Sequence, residues 1–141
     1  MRHRNSRQMV KKILSGRVVP GCGNARTWEI SEIRKATGFY NLVEGTLNVE
    51  LGAPHILRPD YKLPRENRKD RNDHDEDLLF EHCVLVIGTL RVRALIARTS
   101  TNYWGPSVLE VMAEEMLRRR YCLEDRDVLD MEVWVESMET T

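Results

Sequence analysis

Alternation of apolar and polar residues marks several strands along this chain. In Thr46-Leu47-Asn48-Val49-Glu50-Leu51, the side chains of Leu47, Val49 and Leu51 point one way and those of Thr46 and Asn48 the other. Val84-Leu85-Val86-Ile87 and Leu90-Arg91-Val92-Arg93-Ala94-Leu95-Ile96 read as two strands joined at Gly88-Thr89. Leu129, Met131, Val133 and Val135 alternate with Asp130, Glu132, Trp134 and Glu136 as a half-buried strand. The core is therefore mainly β. Helical spacing is rarer. Ser31 is placed to cap a short helix that turns Ile30, Ile33 and Ala36 inward and stops at Gly38. Met9, Val10, Ile13 and Leu14 also fit a helix, so residues 1–15 read as a short amphipathic helix or a basic arm carrying Arg2, Arg4, Arg7, Lys11 and Lys12. Between Ser107 and Tyr121 the pattern fits one long helix after Pro106, or a strand followed by a short helix.

The segment 58–77 breaks these patterns. It is dominated by charge, and its large apolar side chains are Tyr61 and Leu63. Such composition buries too little surface to offset ordering, which predicts a long exposed loop that a short Gly/Ser linker could replace at little cost in stability. Within it, the acidic run from Asp70 echoes a calcium loop but has Asp75 where that loop needs glycine and His74 in place of an oxygen ligand.

With 141 residues the chain suits one domain, and its 22 basic and 22 acidic residues cancel, so no overall field draws it to nucleic acid or an anionic membrane. No apolar run has the length of a membrane span, and the first residues lack the apolar stretch of a signal peptide. The expectation is a cytoplasmic protein, monomeric, with no membrane or nucleic-acid partner. Cys22, Cys83 and Cys122 lack the spacing of a disulfide framework or a zinc site, and Cys83 and Cys122 are expected to be buried thiols.

Glu44-Gly45-Thr46-Leu47-Asn48-Val49 carries the candidate chemistry. A hydroxyl and an amide oxygen two residues apart on one strand face, just after a glycine, suit a Mg²⁺ that keeps its waters and bridges phosphates. The same pair also suits an ordinary solvated strand face.

Around this motif the chain resembles the archaeal-type CTP-dependent riboflavin kinases. The matching blocks are Gly16 to Arg26, Glu44 to Val49, and Val108 to Ala113 continuing into Leu117-Arg118, and the resemblance spans residues 16–136. It implies a mainly β fold: a small six-stranded cradle-loop barrel over residues 16–137, with residues 108–112 as a strand and 114–120 as a short helix. It also implies transfer of the γ-phosphate of CTP to the 5′-hydroxyl of riboflavin, giving FMN and CDP. Thr46 and Asn48 would then hold Mg²⁺. Gly21, Cys22, Gly23, Asn24, Ala25 and Arg26 would form the nucleotide loop, and Met116, Leu117, Arg118 and Arg119 would lie along the nucleotide. Asn102 and Glu110 would contact the flavin. For Arg118 to Arg120 the alternative is a solvated helix end, where cations complement the dipole. No residue stands out as a general base. The chain departs from the family pattern at Ala25, where the family has a glycine, at Asn102, where it has a threonine, and at Arg126, which replaces the glycine of an Asp-Gly-Asp turn. A different class of function stays open: a barrel that binds flavin or nucleotide without catalysis, or a DNA-binding regulator using the basic N-terminus.

Overall fold

A computed structural model of the chain describes residues 8–21, 29–67, 76–99 and 107–136. The basic residues Arg2, Arg4 and Arg7, the loop residues Cys22, Gly23, Asn24, Ala25 and Arg26, the acidic run 70–75, and Asn102 lie outside the described residues.

Seven antiparallel strands make the fold: β1 (Met9–Val19), β2 (Leu47–Leu51), β3 (Tyr61–Leu63), β4 (Leu78–Ile87), β5 (Leu90–Thr99), β6 (Val108–Ala113) and β7 (Val128–Glu136). Two short helices lie in the connections, α1 (Ile30–Thr37) and α2 (Leu117–Arg120). The strand order β4-β5-β6-β2-β1-β7 closes through a β4–β7 pairing, giving a six-stranded barrel with β3 outside it. One edge of β4 serves two partners. Its first residues pair with β3 and its later ones, Val84 to Val86, with β7.

The alternation seen in the sequence fills the barrel. Leu14 and Val18 of β1, Leu47, Val49 and Leu51 of β2, Cys83 and Leu85 of β4, and Leu129, Met131 and Val133 of β7 form one interior cluster. Where β1 crosses β2 the backbones come close. A Cβ on Gly16 would sit 2.6 Å from a Val49 methyl and 2.8 Å from the Glu50 carbonyl oxygen, so this position requires glycine.

A second core lies outside the barrel wall, where Ile33 of α1, Phe39, Leu42 and Leu63 pack on Leu78, Phe80, Leu95, Ala97 and Met112. Residues 94–97 of β5 and nearly all of β6 are consequently buried on both faces. That explains the ambiguity over 107–121. A strand covered on both sides is apolar at consecutive positions and loses its period of two. The structure has the strand followed by one helical turn, not the long helix.

Several expectations are corrected. Residues 9–14 are not a helix. They extend β1, paired from Met9↔Glu136 to Arg17↔Val128 along β7, because the apolar positions that fit a helical face also fit an edge-to-edge strand partner. The N-cap of α1 is Glu29 rather than Ser31, whose hydroxyl instead donates to the Glu29 carboxylate at 3.2 Å. Gly38 ends the helix as expected, at φ +75°, with its N–H donating to the Arg34 carbonyl at 2.9 Å. Cys83 is buried, but Cys122 is exposed and held at φ +55°. Burial, with the Glu81 carboxylate nearby, pushes the Cys83 thiol far above its ordinary range.

The charged segment also departs from the exposed loop. Tyr61 to Leu63 pair with Phe80 to Leu78, Leu63 is buried in the outer core, and Asp77 accepts the Arg65 N–H at 2.8 Å. That bond, with Lys62 and Arg65 beside it, holds the Asp77 carboxyl below its usual range. Leu63, with Tyr61 partly buried against the same cluster, anchors an edge strand taken from a hydrophilic stretch. Leu63→Ala should therefore cost about 2–5 kcal/mol, the usual range for truncating a buried leucine. Replacing residues 62–76 by a linker should cost at least as much. Urea denaturation with an unchanged m-value would measure both, and a midpoint unmoved by Leu63→Ala would return the segment to the status of a free loop.

Among the described residues, no helix is long and apolar enough to cross a membrane.

Candidate functional site

Gly45, at φ +92°, turns the chain into β2, and the next residues present their side chains alternately. Leu47, Val49 and Leu51 enter the barrel interior, so Asn48 is on the outer face of the wall. There it lies between Val19 of β1 and Glu110 of β6, its direct cross-strand partners. The Thr46 hydroxyl donates to Glu110 Oε1 at 3.3 Å. Thr46, Asn48 and Glu110, picked out separately in the sequence, therefore form one polar group. Glu110 shares the face of Met112 while Leu109 and Val111 turn inward, as strand alternation requires.

This group is largely shielded from solvent, Asn48 being 6% and Glu110 7% exposed. Asn48 Oδ1 is buried and has no hydrogen-bond partner among the described residues. An unmatched buried amide oxygen carries a desolvation penalty, which a ligand contact would remove. Gly21 closes over the same side chain. A Cβ at position 21 would lie 2.2 Å from Asn48 Nδ2, so any side chain there would push the Asn48 amide from its place. A neutral hydroxyl, an unpartnered amide oxygen and an adjacent carboxylate form an all-oxygen donor set, and these residues fit a hard cation such as Mg²⁺. Among the described residues there is no cluster of three His, Cys, Asp or Glu side chains that could hold a metal by themselves.

Beside this group is a cavity of about 230 Å³ between the start of β2, the end of β6 and α2. Its floor is apolar, with Val43, Leu47, Val111, Ala113 and Leu117. Its polar side chains are Thr46, Glu44, Glu115, Arg118 and Arg119. Met116 also lines it and is exposed. Leu117 is buried in the barrel core, so its main work is to anchor α2. Arg118 donates to Asp125 at 2.6 Å and to the Val19 carbonyl at 3.3 Å, which ties α2 to the end of β1 just ahead of Gly21. Arg119 makes no ion pair among the described residues and is exposed at the cavity. Of the three arginines of α2, Arg120 faces away from this role: it pairs with Glu115 at 3.2 Å and stacks near the Tyr121 ring. An apolar floor with two guanidinium groups and a hydroxyl at its margin can take a flat ring or sugar on one side and an anion on the other.

The turn after α2 holds Arg126, the residue that departs from the glycine of the resembled pattern. Arg126 adopts φ +79°, a conformation that glycine takes without strain and arginine does not. Its N–H donates to the Val18 carbonyl at 2.7 Å while Val18 N–H donates to the Asp127 carbonyl at 2.8 Å, and these two bonds hold the turn against β1.

Two features of this region were missed in the sequence. Glu115 is oriented by the Tyr121 hydroxyl at 2.7 Å and by Arg120, and accepting that bond raises the Tyr121 pKa. Far from the cavity in sequence terms, Glu81 and His55 form a buried pair at 2.7 Å, and Arg98 donates to the His55 carbonyl at 3.0 Å. Extending the strand pattern back from Cys83 and Leu85 by two residues would have placed Glu81 inside the barrel.

Compared with protein-family models and with curated proteins, the chain matches none.

Proposed function

We propose that this protein is a CTP-dependent riboflavin kinase, transferring the γ-phosphate of CTP to the ribityl 5′-hydroxyl of riboflavin to give FMN and CDP. The observation that carries the reading is the shared cavity wall: Thr46, the first residue of the candidate metal pair, lines the same cavity as Met116, Leu117, Arg118 and Arg119, the residues the resemblance assigns to the nucleotide.

In this reading Arg118 and Arg119 hold phosphate oxygens by charge-assisted hydrogen bonds, and the apolar floor receives the nucleoside. Thr46 and Asn48 hold Mg²⁺, which supplies neutralisation of phosphate charge when bound. Glu110 contacts the flavin and, through Thr46, fixes the orientation of the metal-side hydroxyl. The reaction forms a bond between the ribityl oxygen and the γ-phosphorus, breaks the bond from that phosphorus to the bridging β-oxygen, and releases the hydroxyl proton. Because the transition state of such a transfer is loose, alignment and charge neutralisation supply most of the rate, and a strong base is not required.

A barrel that binds nucleotide or flavin without transfer is the second reading, favoured by Ala25 in place of a loop glycine and by the strained Arg126. Incubation with riboflavin, Mg²⁺ and each of the four nucleoside triphosphates, followed by separation of the flavins, decides between them. FMN should accumulate with CTP. Its absence with every donor, while riboflavin or CDP still binds, would establish the non-catalytic reading, and accumulation with a different triphosphate would reassign the donor.

A further inference from the structure

Strand β1 is paired along both edges only near its end. Against β7 the ladder runs from Met9 to Arg17, but against β2 it covers residues 16–19 alone. The Val18 N–H donates to the Asp127 carbonyl and the Val18 carbonyl accepts from Arg126, so Val18 directs its backbone groups to the β7 side. Alternate residues of a strand direct theirs to opposite edges. Val10, Lys12 and Leu14 therefore bond to β7. Met9, Lys11 and Ile13 turn their N–H and carbonyl groups to the other edge, where no strand pairs with them among the described residues.

The reason lies in β2. Its register, continued beyond Gly16↔Leu51, would set Gly52 against Ser15 and Pro54 against Ile13. Proline has no N–H to give to a ladder. His55, the next residue, pairs instead with Glu81, and the chain leaves β1. A groove of about 310 Å³ between Ser15, Leu51, Gly52 and Val128 opens where the two strands part.

The uncovered edge has a definite chemistry. Met9, Val10 and Ile13 are exposed apolar side chains, with Lys11 and Lys12 exposed between them. Lys11 reaches Glu132 at 3.5 Å, and Lys12 makes no ion pair among the described residues. A second copy of this strand, centred antiparallel on the edge, would set Lys12 against Lys12 or Lys11 against Lys11, which like charges oppose. The complementary pattern has acidic side chains opposite the two lysines and apolar ones opposite Met9, Val10 and Ile13. We propose that the outer edge of β1 is a docking site for an extended segment of a partner protein, two adjacent acidic residues flanked by apolar ones, which adds as a further strand beside Met9, Lys11 and Ile13. Main-chain hydrogen bonds supply the affinity and the lysines supply the selection. The proposal is independent of the kinase reading.

The probe is a dye-labelled peptide with the core Val-Glu-Glu-Val-Val flanked by threonines, and its control carries lysine at both glutamate positions. By fluorescence anisotropy the full chain should bind the acidic peptide about 10-fold or more tightly than the control, since two cross-strand pairs change from opposite to like charge. Amide exchange locates the contact. In the complex the N–H groups of Lys11 and Ile13 should slow about 10-fold or more, while those of Lys12 and Leu14, already bonded to β7, should change less. Ile13→Pro removes an outward N–H and keeps the β7 ladder, so it should weaken the acidic peptide about 10-fold or more with little change in melting temperature. Lys12→Glu, at an exposed position, should bring the two peptides to within about threefold. Failure to bind the acidic peptide, equal binding of the two by the wild type, unchanged exchange at Lys11 and Ile13, or an Ile13→Pro chain that binds as well as the wild type overturns the proposal. So does protection of the same amides that grows with protein concentration when no peptide is present, because the edge would then belong to a second copy.

Discussion

Alanine at position 48 should abolish most phosphoryl transfer, by about 100-fold or more, and leave the protein at least as stable as before. The kinetic side follows from the proposed metal role. Even substitutions of groups that only orient a metal ligand commonly cost about 10–100-fold, and loss of a ligand oxygen itself should cost no less. The stability side follows from the unmatched amide. Asn48 Oδ1 is buried without a partner among the described residues, so removing it relieves a desolvation penalty without breaking a bond at that atom. A buried residue whose deletion lowers activity while preserving or raising the melting temperature bears the signature of a site maintained for function. Turnover with riboflavin and CTP, together with thermal melts, measures both sides. An Asn48→Ala protein that works at the wild-type rate would remove Asn48 from the metal site, and one that unfolds would show that its amide is structural.

The same geometry explains what the sequence disclosed of this site. Thr46 and Asn48 were legible as a same-face pair because β2 alternates cleanly, with Leu47, Val49 and Leu51 all buried inside the barrel. Glu110 was legible as a strand residue only with help from the resemblance, because β6 faces the barrel interior on one side and, through Met112, the outer core of Phe39 and Leu42 on the other. Two-sided burial erases the alternation that marks a strand. Glu115 and Tyr121 gave no signal at all. Their relation depends on how the single turn of α2 folds back on itself, and no periodicity records a contact between a turn and the residue that follows it.

The misreadings elsewhere share a cause, which is pairing with a partner distant in sequence. Residues 9–14 become strand because β7 offers them a full ladder, from Met9↔Glu136 onward. Tyr61 to Leu63 become strand because β4 extends back to Leu78, and Leu63 finds a place under α1 that its charged neighbours do not foretell. In both segments local composition argued for a different state, and tertiary contacts prevailed. The β4–β5 hairpin shows the opposite case. Gly88, at φ +64°, and Thr89 form a two-residue turn between Ile87 and Leu90, so local chemistry and long-range pairing agree.

Replacing His55 with alanine should destabilise the fold by about 3–5 kcal/mol, the range for removing one partner of a buried carboxyl–imidazole pair. Glu81 points into the barrel from β4 and is 0% exposed, and His55, from the connection between β2 and β3, is 3% exposed. Their 2.7 Å contact is the main interaction of the carboxylate. Glu81 Oε1 otherwise meets only the Arg58 N–H at 3.4 Å, and Glu81 Oε2 has no partner among the described residues. Arg98 stands close enough to Glu81 for the carboxylate to oppose the lowering of the Arg98 pKa by burial, and it donates a hydrogen bond to the His55 carbonyl. Alanine at 55 thus leaves a carboxylate in an apolar interior beside Cys83 and Leu85 with little to balance it. Glu81→Gln should cost less, because a neutral amide can still bond to the imidazole. A double replacement, His55→Leu with Glu81→Leu, should recover most of the loss, since apolar pairs of similar volume commonly match or exceed the stability of the buried ion pairs they replace. Urea midpoints for the three proteins provide the comparison. A loss below about 1 kcal/mol for His55→Ala would mean that water or a rearranged Arg98 satisfies Glu81, and that the pair does not secure the β2–β3 connection to the barrel.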